Sequence, residues 1–169
     1  MDTSWSLFLD RDGVINKRIM NGYVRCPAEM VLLPHVQEAF RIFHTKFKHI
    51  FIVTNQQGIG KGLMTAQDLS QVHDRMLEQI GVPVTHIYFS PFLAQENNIM
   101  RKPQIGMALQ AKKDYPDVDF KQSVMIGDSE SDMLFGMNAG MHTVFITSGG
   151  AEPMGEMQCT SLYQFAAML

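Results

Sequence analysis

The sequence predicts a three-layer α/β sandwich around a central parallel sheet, and three observations carry that prediction. Short apolar, β-branched runs alternate along the chain with longer segments of helical periodicity, the pattern of parallel strands joined by right-handed crossovers. Some of these runs are apolar at every position, as strands buried on both faces must be. Polar clusters follow four of them, and in open α/β sheets ligands bind beyond the carboxyl ends of the strands.

Leu7-Phe8-Leu9 reads as the first strand, with Gly13 marking the turn after it. Residues 16–33 show no clean periodicity and contain Gly22 and Pro27, so an irregular flap is expected there. Pro34 fits the first turn of a helix whose apolar face is Val36, Ala39, Phe40, Phe43 and Phe47. His49 to Val53 is a buried second strand ending in the polar turn Thr54-Asn55-Gln56-Gln57-Gly58. Thr65, with Asp68 three residues on, marks a helix start. Leu69, Val72, Met76, Leu77 and Ile80 carry that helix to Gly81. Thr85 to Ser90 is a third strand, after which Pro91 opens a loop to Arg101-Lys102-Pro103, and a helix runs from about 103 to 113. Ser123 to Ile126 is a fourth strand leading into Gly127-Asp128-Ser129-Glu130-Ser131-Asp132. The next helix, from about Ser131 to Ala139, stops at Gly140. Thr143 to Ile146 is a fifth strand, and Leu162 to Met168 a short last helix. No repeat, low-complexity tract or linker interrupts this order, so residues 1–169 are expected to form a single domain.

A net charge of −3 gives no sign of a nucleic-acid or anionic-membrane partner. No apolar run approaches the roughly 20 residues that a membrane span needs. Met1-Asp2-Thr3-Ser4-Trp5-Ser6 has neither a basic nor an apolar region, so it does not read as a signal peptide. Cys26 and Cys159 are far apart and read as free thiols. A cytoplasmic protein, monomeric or weakly oligomeric, is expected. The 14 Met residues are scattered and suit core filling. His35, His44, His49, His73, His86 and His142 show no metal-ligand spacing and are expected on the surface or at helix ends. Lys112 and Lys113 suit a solvated helix end.

The chemistry gathers at strand ends: Asp10 and Asp12, then Thr54 and Asn55, then Arg101 and Lys102, then Asp128 and Asp132. Taken alone, Asp10-Arg11-Asp12-Gly13 could be a solvated turn. On one sheet edge, however, the four groups can converge into an inventory suited to phosphoryl transfer. A carboxylate can act as nucleophile, while a cation, a lysine, a hydroxyl and N–H groups hold the phosphoryl oxygens. Three carboxylates side by side repel one another, which calls for a Mg²⁺ ion.

Asp10-Arg11-Asp12-Gly13, Thr54-Asn55-Gln56, Lys102-Pro103 and Gly127-Asp128-x-x-x-Asp132 resemble the four motifs of the haloacid dehalogenase (HAD) superfamily, in order. The resemblance implies a Rossmann-like, HAD-like fold with a minimal cap. Asp10-Arg11-Asp12-Gly13-Val14-Ile15-Asn16, Gly22-Tyr23-Val24, the stretch Thr54 to Gly62, and Arg101-Lys102-Pro103-x-x-Gly106-Met107 are similar to the branch holding heptose-bisphosphate and histidinol phosphatases. By that resemblance Asp10 is the nucleophile that becomes an aspartyl phosphate, and Asp12 is the general acid and base. Asp10, the Asp12 carbonyl and Asp128 hold Mg²⁺, Thr54 and Lys102 bind the phosphoryl oxygens, and Asp132 stands behind the metal ligands. Arg11, Asn55, Gln56, Gln57, Lys61, Arg101 and Tyr23 are the candidate substrate contacts; Arg101 could grip a second phosphate or a carboxylate. The implied substrate is D-glycero-D-manno-heptose 1,7-bisphosphate, with histidinol phosphate or another small sugar phosphate as the alternative.

The branch usually carries a zinc loop of three Cys and one His before the Arg-Lys-Pro. Ser90 to Met100 contains neither residue type, so no zinc is expected, and packing of Phe92, Leu93 and Ile99 is expected to order this short loop at about 90–102. Gly58, Gly60 and Gly62 lack the spacing of a phosphate-binding P-loop or a dinucleotide fingerprint. A phospho-accepting receiver domain also uses strand-end acids, but its acceptor follows a middle strand, whereas the Asp-x-Asp pair here follows the first.

Overall fold

The computed structural model describes residues 3–147 and 154–169. Met1 and Asp2, part of the stretch read for a leader, lie outside it. Among the described residues, six parallel strands form one sheet: β1 (Ser6–Leu9), β2 (His49–Asn55), β3 (His86–Ser90), β4 (Ser123–Gly127), β5 (His142–Ile146) and β6 (Met157–Cys159). Their spatial order is β3-β2-β1-β4-β5-β6, which is the Rossmann order and not that of a receiver domain.

The two-residue period of a strand divides the core. Leu7 and Leu9 of β1 face one side, with Ile50 and Ile52 of β2; there they meet α1 (Val36–Lys46), α3 (Ala66–Ile80) and α6 (Leu162–Ala166) through Phe40, Phe43, Val72, Met76 and Phe165. Phe8 and Phe51 face the other side, against Met107 and Ala111 of α4 (Gly106–Asp114) and Phe135 of α5 (Glu130–Ala139). Helices therefore cover both faces, and the apolar-throughout strand sequence follows from that. Among the described residues, no helix is long and apolar enough to cross a membrane.

Thr65 and Asp68 form a reciprocal capping box on α3, and Gly81 ends it with φ of 73°. Elsewhere the boundaries differ from expectation. Pro34 lies outside α1, because His35 takes the cap position in a left-handed conformation. Residues 103–105 are not helical: the N–H of Gln104 donates to the Arg101 carbonyl and that of Gly106 to Ile99, so a turn precedes α4. Thr54 and Asn55 are the last residues of β2 rather than a turn, and a four-residue helix, α2 (Gln57–Gly60), follows them. β6 has three residues, two of them exposed, and gave no periodic signal. Both cysteines are free, Cys159 buried and Cys26 exposed.

The flap at 16–33 is irregular apart from one 3₁₀ turn at Pro27–Glu29. The short loop departs from expectation at Ile99, which is 58% exposed. Phe92 and Leu93 are partly buried, as expected, and polar contacts add to them: the Leu93 N–H donates to Glu96 Oε2 (2.7 Å), Met100 N–H to Asn98 Oδ1 (2.9 Å), and Gly60 N–H to the Pro91 carbonyl (3.1 Å).

Candidate active site

β1, β2 and β4 end side by side, so Asp10 and Asp12, Thr54, and Asp128 reach one edge of the sheet. Lys102 enters from the loop after β3 and is almost fully buried. Its three ammonium protons have three acceptors: Asp10 Oδ1 at 2.7 Å, Asp132 Oδ1 at 2.6 Å and the Val53 carbonyl at 2.7 Å. Asn55 fixes the lysine main chain, its Oδ1 accepting from Lys102 N–H (3.0 Å) and its Nδ2 donating to the Lys102 carbonyl (3.1 Å). Asp132 is saturated: its second oxygen accepts from Ser129 Oγ (2.6 Å), Ser129 N–H (3.1 Å) and Asp128 N–H (3.2 Å), the cap of α5. Gly127 permits this, because a Cβ there would lie 2.1 Å from that of Asp132.

Asp12 points its carboxylate into a different set of donors. Arg11 Nη2 reaches both oxygens (2.9 and 2.8 Å), Asn16 Nδ2 reaches Oδ1 (2.9 Å) and Gln56 Nε2 reaches Oδ2 (2.8 Å). The same Gln56 nitrogen donates to Thr54 Oγ1 at 2.9 Å. Behind them, Arg11 Nη1 lies 3.2 Å from His73 Nε2.

These surroundings pull the acids apart. Burial, with Asp132 and Asp128 close by, pushes Asp10 up to about 7 against the pull of Lys102. Burial also raises Asp128, to about 6, although Arg18 opposes it. Asp12 is lowered: burial opposes ionisation, but the Arg11 charge and the donors outweigh it. Lys102 stays charged despite burial, held above its ordinary value by Asp10 and Asp132.

A cavity of about 630 Å³ opens over this floor, with Asp10, Asp12, Thr54 and Lys102 at its base and Tyr23, Gln57, Lys61 and Arg101 on its walls. Lys61 Nζ donates to the Tyr23 hydroxyl at 3.0 Å, and Arg101 Nη1 to the Phe92 carbonyl at 3.1 Å. Carboxylate oxygens of Asp10, Asp128 and Asp132 lie within 4.8 Å of one another, a hard-donor set suited to a divalent cation. Arg18 Nη2 donates to both the Asp12 carbonyl (2.9 Å) and Asp128 Oδ1 (2.7 Å), so these two oxygens face one cationic point. Gly13, at φ +95°, makes room there, since a Cβ would lie 1.9 Å from Asp128 Oδ2.

A family model described as polynucleotide kinase 3 phosphatase matches residues 10–147. The chain belongs to this family and is a phosphatase of the HAD type. It is 34% identical over 170 residues to the D-glycero-alpha-D-manno-heptose-1,7-bisphosphate 7-phosphatase of Mycobacterium bovis, covering 96% of this chain and 90% of that relative. It is also 34% identical over 166 residues to the D-glycero-beta-D-manno-heptose-1,7-bisphosphate 7-phosphatase of Helicobacter pylori J99, covering 95% of this chain and 94% of the other. The crystal structure of the D,D-heptose 1.7-bisphosphate phosphatase from B. bronchiseptica, complexed with magnesium and phosphate, superimposes with a TM-score of 0.86 at 29% identity, over 99% of this chain and 97% of that one.

Two expected substrate contacts of the phosphatase, Arg11 and Gln56, sit beneath the cavity rather than in it. Arg11 is fully buried and faces Asp12 and His73, because its charge is neutralised below the cavity rather than in it. Gln56 is buried and joins Asp12 to Thr54. Asn55 does line the cavity, although its amide is engaged on both sides by the Lys102 main chain. Arg18, Asn16 and His73 were missed. Arg18 lies on a flap without periodicity and carried no signal. His73 did: it is four residues after Leu69, on the apolar face of α3, and is buried rather than at the surface.

Proposed function

We propose that this phosphatase hydrolyses D-glycero-D-manno-heptose 1,7-bisphosphate through an aspartyl phosphate on Asp10, with Mg²⁺ bound by Asp10, the Asp12 carbonyl and Asp128. The observation that carries this reading is the convergence of Asp10, Lys102 and Thr54 at the base of a cavity whose walls hold Arg101 and Lys61. One phosphate sits at the base, and the wall cations meet the second. The two wall cations and the two relatives' names favour the bisphosphate, with the 7-phosphate leaving. Both faces of the core share one sheet, which supports a single domain.

An Asp10 oxygen attacks phosphorus as the bond to the sugar oxygen breaks, and Asp12 supplies the proton that makes that oxygen an alcohol. Asp12, then ionised, takes a proton from water, whose oxygen attacks phosphorus, releasing phosphate and restoring Asp10. Thr54, and Lys102 once its contact with Asp10 yields, hold the phosphoryl oxygens. The bound cation screens the charge between Asp10 and the incoming phosphate and favours the ionised nucleophile. Four hydrogen bonds from three nitrogens occupy the Asp12 carboxylate and favour its ionised form, so before it acts as acid it must take up a proton while one of those donors yields as substrate enters. The raised pKa of Asp10 fits a site completed by a cation.

Phosphate release should be measured with Mg²⁺ on both anomers of the heptose bisphosphate, on histidinol phosphate and on simple sugar phosphates. The bisphosphate should have the highest kcat/KM, and Asp10→Asn should abolish turnover on all of them. A preference for histidinol phosphate by orders of magnitude would overturn the substrate while leaving the chemistry in place.

A further inference from the structure

Beneath the cavity, two buried polar groups have no part in the reaction as proposed. Arg11 is wholly buried, and its guanidinium meets Asp12 on one side and His73 on the other. An arginine in a protein stays protonated and can only donate, so His73 Nε2 must accept, and the ring proton resides on Nδ1. His73 is therefore neutral. Burial first, and the neighbouring Arg11 charge second, push it down to about 3. Its ring comes from the middle of α3, a fifteen-residue helix capped at both ends, so the acceptor is mounted on a rigid element.

We infer that His73 is a positioning residue: it holds Arg11 by Nη1, so that Nη2 fixes the Asp12 carboxylate for proton transfer. The contacts leave Arg11 little else to hold it. Its Nε is buried without a partner among the described residues, and the ion pair with Asp12 is made by a single nitrogen rather than by the parallel two-nitrogen fork that would fix its own orientation. A guanidinium held by one nitrogen can swing about that contact; the histidine supplies the second point. This inference rests on the acid–base role proposed for Asp12.

The test uses leaving groups. kcat/KM reports steps up to departure of the alcohol, and an alkyl phosphate needs its leaving oxygen protonated whereas a p-nitrophenyl ester does not. With His73→Leu, kcat/KM on an alkyl phosphomonoester should fall about tenfold or more, a part of the roughly 10²–10⁴ that general acid–base catalysis supplies. On p-nitrophenyl phosphate kcat/KM should hold while kcat falls, because hydrolysis of the aspartyl phosphate still needs Asp12 as base. His73→Gln, whose amide oxygen can accept from Arg11, should recover most of the loss. Equal losses on both esters, no loss on either, or failure of His73→Gln to recover more than His73→Leu would each overturn the inference while wild-type turnover left the phosphatase reading intact. An unaltered chain that hydrolyses neither ester would instead remove the reading on which the inference rests.

Discussion

The floor of the cavity and the flap over it are built on opposite principles. On the floor, Lys102, Asp132 and Asp12 each have a full set of partners, from residues close to the ends of β1, β2 and α5 and from Asn16 where the flap begins. On the flap, residues 16–33, the main chain is tied down near its ends, by Lys17 N–H to the Val31 carbonyl and Leu33 N–H to that of Ile15, while Met20 at the tip is 81% exposed. Reacting groups need sub-ångström placement, which rigid strand ends supply; recognition of a polar substrate tolerates looser walls. The difference teaches where the protein concentrates its order: at the strand ends beneath the cavity, not in the flap over it.

The sharpest way to break that contrast is Lys102→Met. It would leave Asp10 and Asp132 facing each other in a buried site with no ammonium between them. Removing one partner of a buried ion pair costs about 3–5 kcal/mol, so urea denaturation should show a loss of that order, together with a fall in kcat of about 10²-fold or more from the lost phosphoryl contact. A stable, inactive Lys102→Met would mean that the lysine serves chemistry alone. On the wall, Arg101→Ala should behave otherwise. Its side chain is only partly buried and has one main-chain partner, so stability should hardly change. KM for the bisphosphate should rise about tenfold, the size of one charge-assisted hydrogen bond, while a monophosphate of the same sugar should be unaffected.

Five of the six described strands were legible from the sequence, most clearly where burial on both faces leaves no polar position, as in Phe51-Ile52-Val53; β6, short and mostly exposed, was not. The ends of α1 and α4 were less legible: His35 in a left-handed cap and the turn at residues 103–105 are set by tertiary contacts that local residue preferences do not encode. Among the site residues, Asp10, Asp12, Thr54 and Lys102 could be named from strand ends because topology brings strand ends together. Whether a polar residue faces the cavity or the layer beneath it could not be read the same way. Arg11 lies between Asp10 and Asp12 and Gln56 two residues beyond Thr54, and nothing local says that their side chains turn inward to brace Asp12.

That inner layer makes a pH prediction of its own. His73 is held neutral in the fold, depressed to about 3 from its ordinary 6.5. Below pH 6.5 the unfolded chain takes up a proton that the folded chain refuses, so stability falls as pH drops through that range, by at most about 1.4 kcal/mol per pH unit. Denaturation at pH 7 and pH 5 should therefore show the unaltered protein losing about 2 kcal/mol more than His73→Gln, which has no such proton to refuse. The difference between the two proteins cancels the opposite contributions of Asp10 and Asp128, which favour folding at low pH. An identical pH response would mean that His73 is not held neutral.

The smallest effect is expected at the flap tip, and it decides how far the contrast extends. Met20→Ser removes an exposed apolar side chain that contributes little to the core, so the stability change should stay within about 0.5 kcal/mol. If the flap remains as open as it stands, kcat/KM should not change either, because Met20 is not among the cavity-lining residues. Its neighbours Ile19 and Asn21 do line the cavity, however, and so does Arg18, which reaches the Asp128 carboxylate from the flap. A flap that closed over bound sugar would draw Met20 down with them, and the serine would then raise KM without touching stability. Stability and KM therefore separate the two cases: both unchanged leaves order confined to the floor, and a rise in KM alone extends it to the flap once substrate is bound.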